Sequence, residues 1–265
     1  MPFVFTLLAL NVSAQVGVFV APHVGFQLES FNTTGVNTFF DTWNEHYKLG
    51  MKQPFESVGS FSNRGIDYGI NVVAYGDLKK TSFYASLGVF YNQSAVKRSS
   101  TMWNNYSNEF NLHFRDVEVP IMIGAAIKGK FTLALNADFL FRQAMLDFTT
   151  VYPDGSKSYG NEFDINGVYK VSVPDMYLGP ALIIRLGRVQ FPISVTFPLG
   201  MFKNNDLPLT DYGANRWRST NFPERFDDWL TDVSGMDQEN ALYMNQMKGM
   251  KIMVGLEFLI GKMKD

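Results

Sequence analysis

Eight stretches of this chain place an apolar side chain at every second position, and none reaches the roughly 18 consecutive apolar residues that a helix needs to cross a bilayer. Period two marks a strand with one covered face. In the first stretch, Val16, Val18, Val20, Pro22, Val24 and Phe26 form an apolar set. The intervening positions are small or polar (Gly17, Ala21, His23, Gly25, Gln27), with Phe19 the exception. The same alternation recurs over 66–75, 82–92, 116–125, 131–142, 175–186, 189–200 and 250–261. Each run has about the length of a tilted membrane strand.

The connections between these runs sort by parity. Those at 76–80, 128–130 and 187–188 are short, whereas those at 30–64, 93–115, 144–174 and 201–247 are long. Tight turns at one end and long loops at the other are the arrangement of an outer-membrane barrel, and a soluble sandwich has no reason to adopt it. The expected fold is therefore all-β: an eight-stranded antiparallel transmembrane β-barrel with long extracellular loops.

Three features turn the apolar face toward lipid rather than inward. That face is free of charge along the middle of every run. The opposite face carries Asp67, Asp116, Glu118, Asp138, Arg142, Arg185, Lys251 and Glu257, which are tolerable in a narrow interior if they pair. Aromatics gather near the ends of the apolar face: Phe83, Phe131, Phe191 and Phe258 on the turn side, and Phe26, Tyr68, Tyr91, Phe141 and Phe197 on the loop side. Two such girdles suit the two membrane interfaces. An eight-stranded interior is filled by side chains, so the eight charged residues are expected to form an interior polar network rather than line a wide pore.

Residues 1–14 read as a secretory signal peptide. A short apolar run to Leu10 precedes Val12-Ser13-Ala14, a small-residue cleavage signature, although no basic segment leads it. Residues 15–265 then form one barrel domain, with both termini periplasmic. The net charge of -2 disfavours nucleic acid as a partner. The absence of cysteine removes disulfides, zinc-thiolate sites and thiol nucleophiles. No metal or cofactor motif is visible. Asp227, Asp228, Asp232, Asp237 and Glu239 cluster, but their spacing is not that of an EF-hand.

Taken together, the segment Val12-Ser13-Ala14-Gln15, the eight alternating runs and the loop parity resemble the small outer-membrane β-barrels of Bacteroidota described as PorT-like. In architecture these are similar to OmpA/OmpX-type barrels. The segment from Val117 to Gly124, a strand interrupted by Pro120, looks like a pattern those families use. The resemblance implies an outer-membrane location and, for some members, a link to secretion or gliding machinery. The C-terminus departs from the usual aromatic end. It closes on Gly261-Lys-Met-Lys-Asp265, leaving Phe258 as the nearest aromatic.

Function is expected in the loops and at the outer wall. All four tryptophans fall in predicted loops, and long loops on a rigid scaffold are where binding concentrates. Trp43, Trp103, Trp217, Phe226, Trp229 and Leu230 are the candidate surface for a partner, such as another outer-membrane protein of a secretion or assembly complex. Short amphipathic helices are predicted over 37–47 and 223–233. Lys97, Arg98 and Arg115 stand at the loop ends of two neighbouring strands, where they could meet the phosphates of outer-membrane lipids, lipopolysaccharide included. Two alternatives remain at this point: a small gated channel, and a lipid-modifying enzyme built on His23, His46 or His113. No nucleophile motif accompanies the histidines. Pro22, Pro120, Pro180, Pro192 and Pro198 fall inside predicted strands, where they should mark bulges or strand ends.

Overall fold

The computed structural model describes residues 15–30, 33–60, 63–78, 81–127, 130–158, 165–200, 209–210 and 249–261. The predicted signal segment and the residues Trp217, Phe226, Trp229 and Leu230 lie outside them. Eleven strands and one α-helix are present among the described residues. The principal strands are β1 (Gln15–Glu29), β3 (Asn63–Leu78), β4 (Thr81–Met102), β5 (Ser107–Ile127), β6 (Phe131–Val151), β8 (Gly167–Leu186), β9 (Val189–Pro198) and β11 (Lys251–Phe258). Each pairs antiparallel with the next in this order, and β11 returns to pair with β1. The sheet thus closes into a ring with no free edge among these strands, which removes the liability of unpaired backbone at an edge. Three short strands, β2 (Met51–Gln53), β7 (Lys157–Ser158) and β10 (Leu209–Thr210), attach to β4, β6 and β8.

The strands follow the predicted phase where the alternation is clean. On β5, Val117, Ile123 and their odd-numbered neighbours face outward, whereas Asp116, Glu118 and Met122 are buried. On β6, Leu133, Leu135 and Phe139 face outward, opposite the buried Asn136, Asp138 and Arg142. Around the ring these outward positions form a continuous belt of large apolar side chains, with the aromatic residues of both expected girdles on its surface.

Above the belt the sidedness inverts. Outward positions become polar: Gln93, Lys97 and Ser99 on β4, His113 and Arg115 on β5, Gln143 and Asp147 on β6, Lys170 and Ser172 on β8. Inward positions become apolar: Val96, Phe110, Leu112, Phe114, Ala144, Leu146, Phe148, Tyr169, Val171 and Val173. The segments 93–102 and 107–115 are therefore strand, not the loop expected from sequence, and only residues 103–106 turn between them. Likewise β6 runs on to Val151, into what was expected to be the next long loop.

Helix α1 (Thr34–Tyr47), close to the helix predicted over 37–47, fills the upper mouth. Its sequence contains Gly, Asn, Thr and several aromatics, and Thr33 makes no side-chain cap, so propensity alone would not hold it. Packing does. Val36, Phe39, Phe40 and Trp43 recur at helical spacing and are buried against Phe110 and Phe148 of the wall and Phe55 of the following segment.

Two asparagines pin that segment to the helix by acting as substitute peptide groups. Asn37 donates to the Val58 carbonyl (3.1 Å) and accepts from the Val58 N–H (2.7 Å). Asn44 does the same with Phe55, at 2.9 and 2.8 Å. Asn44→Ala leaves both backbone groups of the buried Phe55 without that partner and should cost about 1–3 kcal/mol of local stability, measurable as faster amide exchange over residues 51–58.

Pairing is interrupted beside three of these prolines, and Pro198 is the last residue of β9. The β4–β5 ladder skips between Leu87–Ile121 and Phe90–Glu118, around Pro120. The β8–β9 ladder skips between Leu178–Phe197 and Ala181–Ser194, around Pro180. The β9–β11 ladder skips between Val254–Ile193 and Glu257–Gln190, around Pro192. A proline has no N–H to give, so each gap falls where a donor is missing.

Candidate functional site

The interior is layered. Phe19, Tyr75, Tyr84, Ile183 and Leu259 pack together at the turn end. The aromatic cluster around α1 closes the loop end. Between them lies a polar layer made of three connected groups.

In the uppermost, Arg142 makes two forked contacts. Its Nε and Nη2 donate to Asp116 at 2.9 and 2.8 Å, and its Nη1 and Nη2 donate to Glu29 at 2.9 and 2.5 Å. Asn63 and the Tyr177 hydroxyl each donate a further bond of 2.8 Å to Glu29. Arg142 also lies 4.9 Å over the Phe114 ring, at the floor of the aromatic cluster. Asp116 is its direct cross-strand neighbour, whereas Glu29 belongs to β1, four strands away round the ring in either direction. The contact is a strut across the lumen.

Lys251 forms a second strut. Its Nζ donates to Glu118 (3.0 Å) and to Asp138, on the far side of the ring, and sits 5.0 Å over the Tyr177 ring.

The lowest group centres on His23. Its Nε2 meets Asp67 at 2.6 Å and its Nδ1 meets Glu257 at 2.9 Å, while its ring stacks on Phe90 at 4.0 Å. Asn71 (3.1 Å) and Gln190 donate to Glu257, and Tyr75 donates to Gln190 at 2.9 Å. Space for the imidazole comes from Gly25 and Gly255, which are cross-strand partners. A Cβ at Gly25 would stand 2.6 Å from Asp67 Oδ2, and one at Gly255 would press on the His23 ring.

Seven of the eight residues expected in the polar interior thus fall into these three groups: Asp67, Asp116, Glu118, Asp138, Arg142, Lys251 and Glu257. Arg185 does not. Near the turn end it donates to the Gly187 carbonyl (3.1 Å) and stacks 4.5 Å over Tyr75. Glu29 and His23 were missing from the expected set. Glu29 stands one residue before the predicted loop, and nothing near His23 in sequence marks its partners. Their ring partners are up to 234 residues away in sequence, so no local spacing signals the pairing.

The arrangement has chemical consequences. Both nitrogens of His23 are occupied by carboxylates, so neither is left to activate a nucleophile. His113 is on the outer face of β5 and His46 is exposed on α1, so neither belongs to the His23 group. Among the described residues, no group of three or more metal-ligating side chains is placed to hold an ion.

The candidate partner and lipid residues divide as well. Trp43 is 5% exposed and belongs to the mouth plug, so it offers nothing to a partner. Trp103, in the 103–106 turn, is 68% exposed. Arg98 turns away from the outer surface and donates to the carbonyls of Glu56 (3.2 Å) and Ser57 (3.4 Å), tying the segment after α1 to the wall. Lys97 and Arg115 remain on the outer face, and there they are joined by Arg64 and His113 around a shallow cleft of about 310 Å³. No known family model matches this chain, and no curated protein matches it in sequence.

Proposed function

We propose that this protein is an eight-stranded transmembrane β-barrel of a bacterial outer membrane, of the general kind to which the PorT-like barrels belong. In this reading it is a filled, non-enzymatic scaffold that binds its partners, lipid or protein, through its outer wall and external end. The observation that carries the proposal is the inversion of sidedness at a common height on neighbouring strands. Below Arg115, the outward face of β5 is apolar from Val117 to Ala125. Above Arg115, outward positions are polar and inward ones apolar. Nine residues span about 26 Å along a strand, or about 20 Å once tilted, close to the roughly 25 Å apolar band of such barrels. A protein in one solvent has no cause to reverse its covered face partway along a strand. The two apolar clusters that bracket the polar layer favour a scaffold over a pore.

The test uses Leu135, which is 56% exposed in the middle of the belt on β6. Leu135→Arg should destabilise the protein folded in lipid vesicles by about 2–4 kcal/mol, whereas Gln143→Arg, above the belt on the same strand, should cost about 0–1 kcal/mol. Equal effects at the two positions would reject the membrane reading. A steady single-channel conductance of the folded protein in planar bilayers would reject the filled scaffold.

A further inference from the structure

Each principal strand pairs with the next, but the strands rise to different heights. β5 accompanies β4 in unbroken register from Phe90 to Thr101. On the other flank β3 pairs with β4 only as far as Ser94, and β2 resumes the pairing at Thr101 and Met102. Among the described residues, 95–100 are therefore paired on one flank alone. The cause lies in the chain that passes this stretch. From Gln53 to Gly65 it advances twelve positions, whereas β4 advances seven from Ser94 to Thr101. The surplus turns into the mouth, where Phe55 and Val58 are buried in the cluster around α1 and held by Asn44 and Asn37. Packing the plug uncovers the edge.

Alternation decides which backbone groups face the gap. The Met102 N–H donates to the Tyr106 carbonyl on the β5 side, and the Trp103 N–H donates to the Gly50 carbonyl on the β2 side. Neighbouring residues of a strand turn their N–H and C=O groups to opposite flanks. Ala95, Lys97 and Ser99 thus share the flank of Trp103, and Val96, Arg98 and Ser100 share that of Met102. Arg98 bridges the gap with its side chain. Its Nη1 donates to the Lys97 carbonyl at 2.8 Å, while Nε and Nη2 donate to the carbonyls of Glu56 and Ser57. The guanidinium joins two backbones as the peptide groups of an intervening strand would. Lys97 also lines both clefts beside this edge, the one shared with His113 and a second of about 360 Å³ that Gln53, Glu56 and Ser99 help to form.

We propose that the edge of β4 at residues 95–100 docks an extended segment of a partner protein, which adds to the sheet as one more strand; this rests on the reading of the external end as the one that binds partners, and names their class. Unpaired edge backbone is a template for strand addition, in which the main chain supplies affinity. The incoming strand pairs with Ala95, Lys97 and Ser99 on one flank. On the other it meets the carbonyls of Glu56 and Ser57, once Arg98 withdraws. A second copy of this chain fits poorly, because Lys97 and Arg98 of two copies would then face one another across the new pair.

The probe is a capped synthetic peptide copying Ser107–Arg115, whose side chains already match β4 in register on its paired flank. It is added to the folded full-length protein in detergent micelles, and amide exchange is followed residue by residue by nuclear magnetic resonance. The amides of Lys97 and Ser99 are expected to slow about tenfold or more at saturating peptide, with those of Arg98 and Ser100, already bonded to β5, unchanged. Arg98→Ala, which clears the gap, should tighten binding about threefold or more. Ser99→Pro removes an N–H from the open edge and none from the β4–β5 ladder. It should keep the native barrel content by circular dichroism yet bind the peptide about tenfold more weakly. Slow exchange at Lys97 and Ser99 without peptide, or a Ser99→Pro chain that does not fold, would show the edge to be already paired and would overturn the site. No slowing at about 1 mM peptide would overturn it as well. Slowing produced by raising the protein concentration alone would make the occupant a second copy, and the proposal would fall. None of these readouts needs a bilayer, so a protein that fails to insert loses the membrane reading, whereas the docking edge is decided by these amides.

Discussion

Arg142→Met should destabilise this protein by about 3–5 kcal/mol, because it leaves Glu29 and Asp116 buried, close together and without their shared cation. The loss has two parts. Two carboxylates keep the desolvation cost of burial but lose the forked contacts that offset it. They also face each other across the space the guanidinium held. Removing the charges together should reverse most of the effect: Arg142→Met combined with Glu29→Gln and Asp116→Asn is expected to recover the greater part of the lost stability, since neutral groups of similar shape carry a far smaller burial cost. Urea unfolding midpoints of the single and triple variants in the same lipid check both statements. A triple variant no more stable than Arg142→Met would mean that Arg142 acts through packing over Phe114 rather than through its charge.

Phe39→Ala should have an equally large but local effect. Phe39 is fully buried and its ring meets Phe40, Trp43, Phe55, Phe110 and Phe148. Deleting a buried phenyl ring costs about 3–5 kcal/mol. The ladders of β3 and β4 do not depend on that ring, and α1 has little helical stability of its own. The segment 33–58 should therefore leave the mouth while the ring of strands persists. Hydrogen exchange would show amides of 33–58 accelerating by about a hundredfold or more, with those of β3 and β4 unchanged, and Trp43 emission would shift toward the wavelength of water-exposed indole. Loss of protection throughout the strands would show instead that the plug and the wall fold as one unit.

The part of each strand that carries the apolar belt was legible because one physical cause, a boundary between apolar and polar surroundings, writes itself at every second residue. The upper strands were hidden by the same rule. On β5 the apolar set is odd-numbered from Val117 onward but even-numbered through Phe110, Leu112 and Phe114. A reader following one parity sees the pattern stop at Arg115 and infers a loop. The parity switch itself was the available signal. The interior charges were legible one by one, since a charge in the covered phase of an alternating run has to find a partner. Which partner it finds depends on the staggering of strands round the ring, and a single strand does not encode that. Glu29 was missed for this reason, although it is the residue that receives the strut from β6. Arg98 was misread because only the fold reveals the carbonyls of Glu56 and Ser57 within its reach. Arg64 is the opposite case: nothing in its local sequence marks it, and the fold sets it with Lys97, His113 and Arg115 around one cleft.

The reversal at Arg115 also works as a depth gauge. For a barrel in a bilayer, sinking by one outward position, about 7 Å along the strand, carries Arg115 and its neighbours toward hydrocarbon. Rising by the same step lifts Val117, Tyr91 and Phe141 into water, so displacement in either direction is opposed. Few single-solvent proteins contain such a marking. The wall is effectively two materials joined end to end, each with its own preferred solvent, and the seam between them fixes how far the external end stands out. In a bilayer, whatever met that end would find it at a constant height above the lipid.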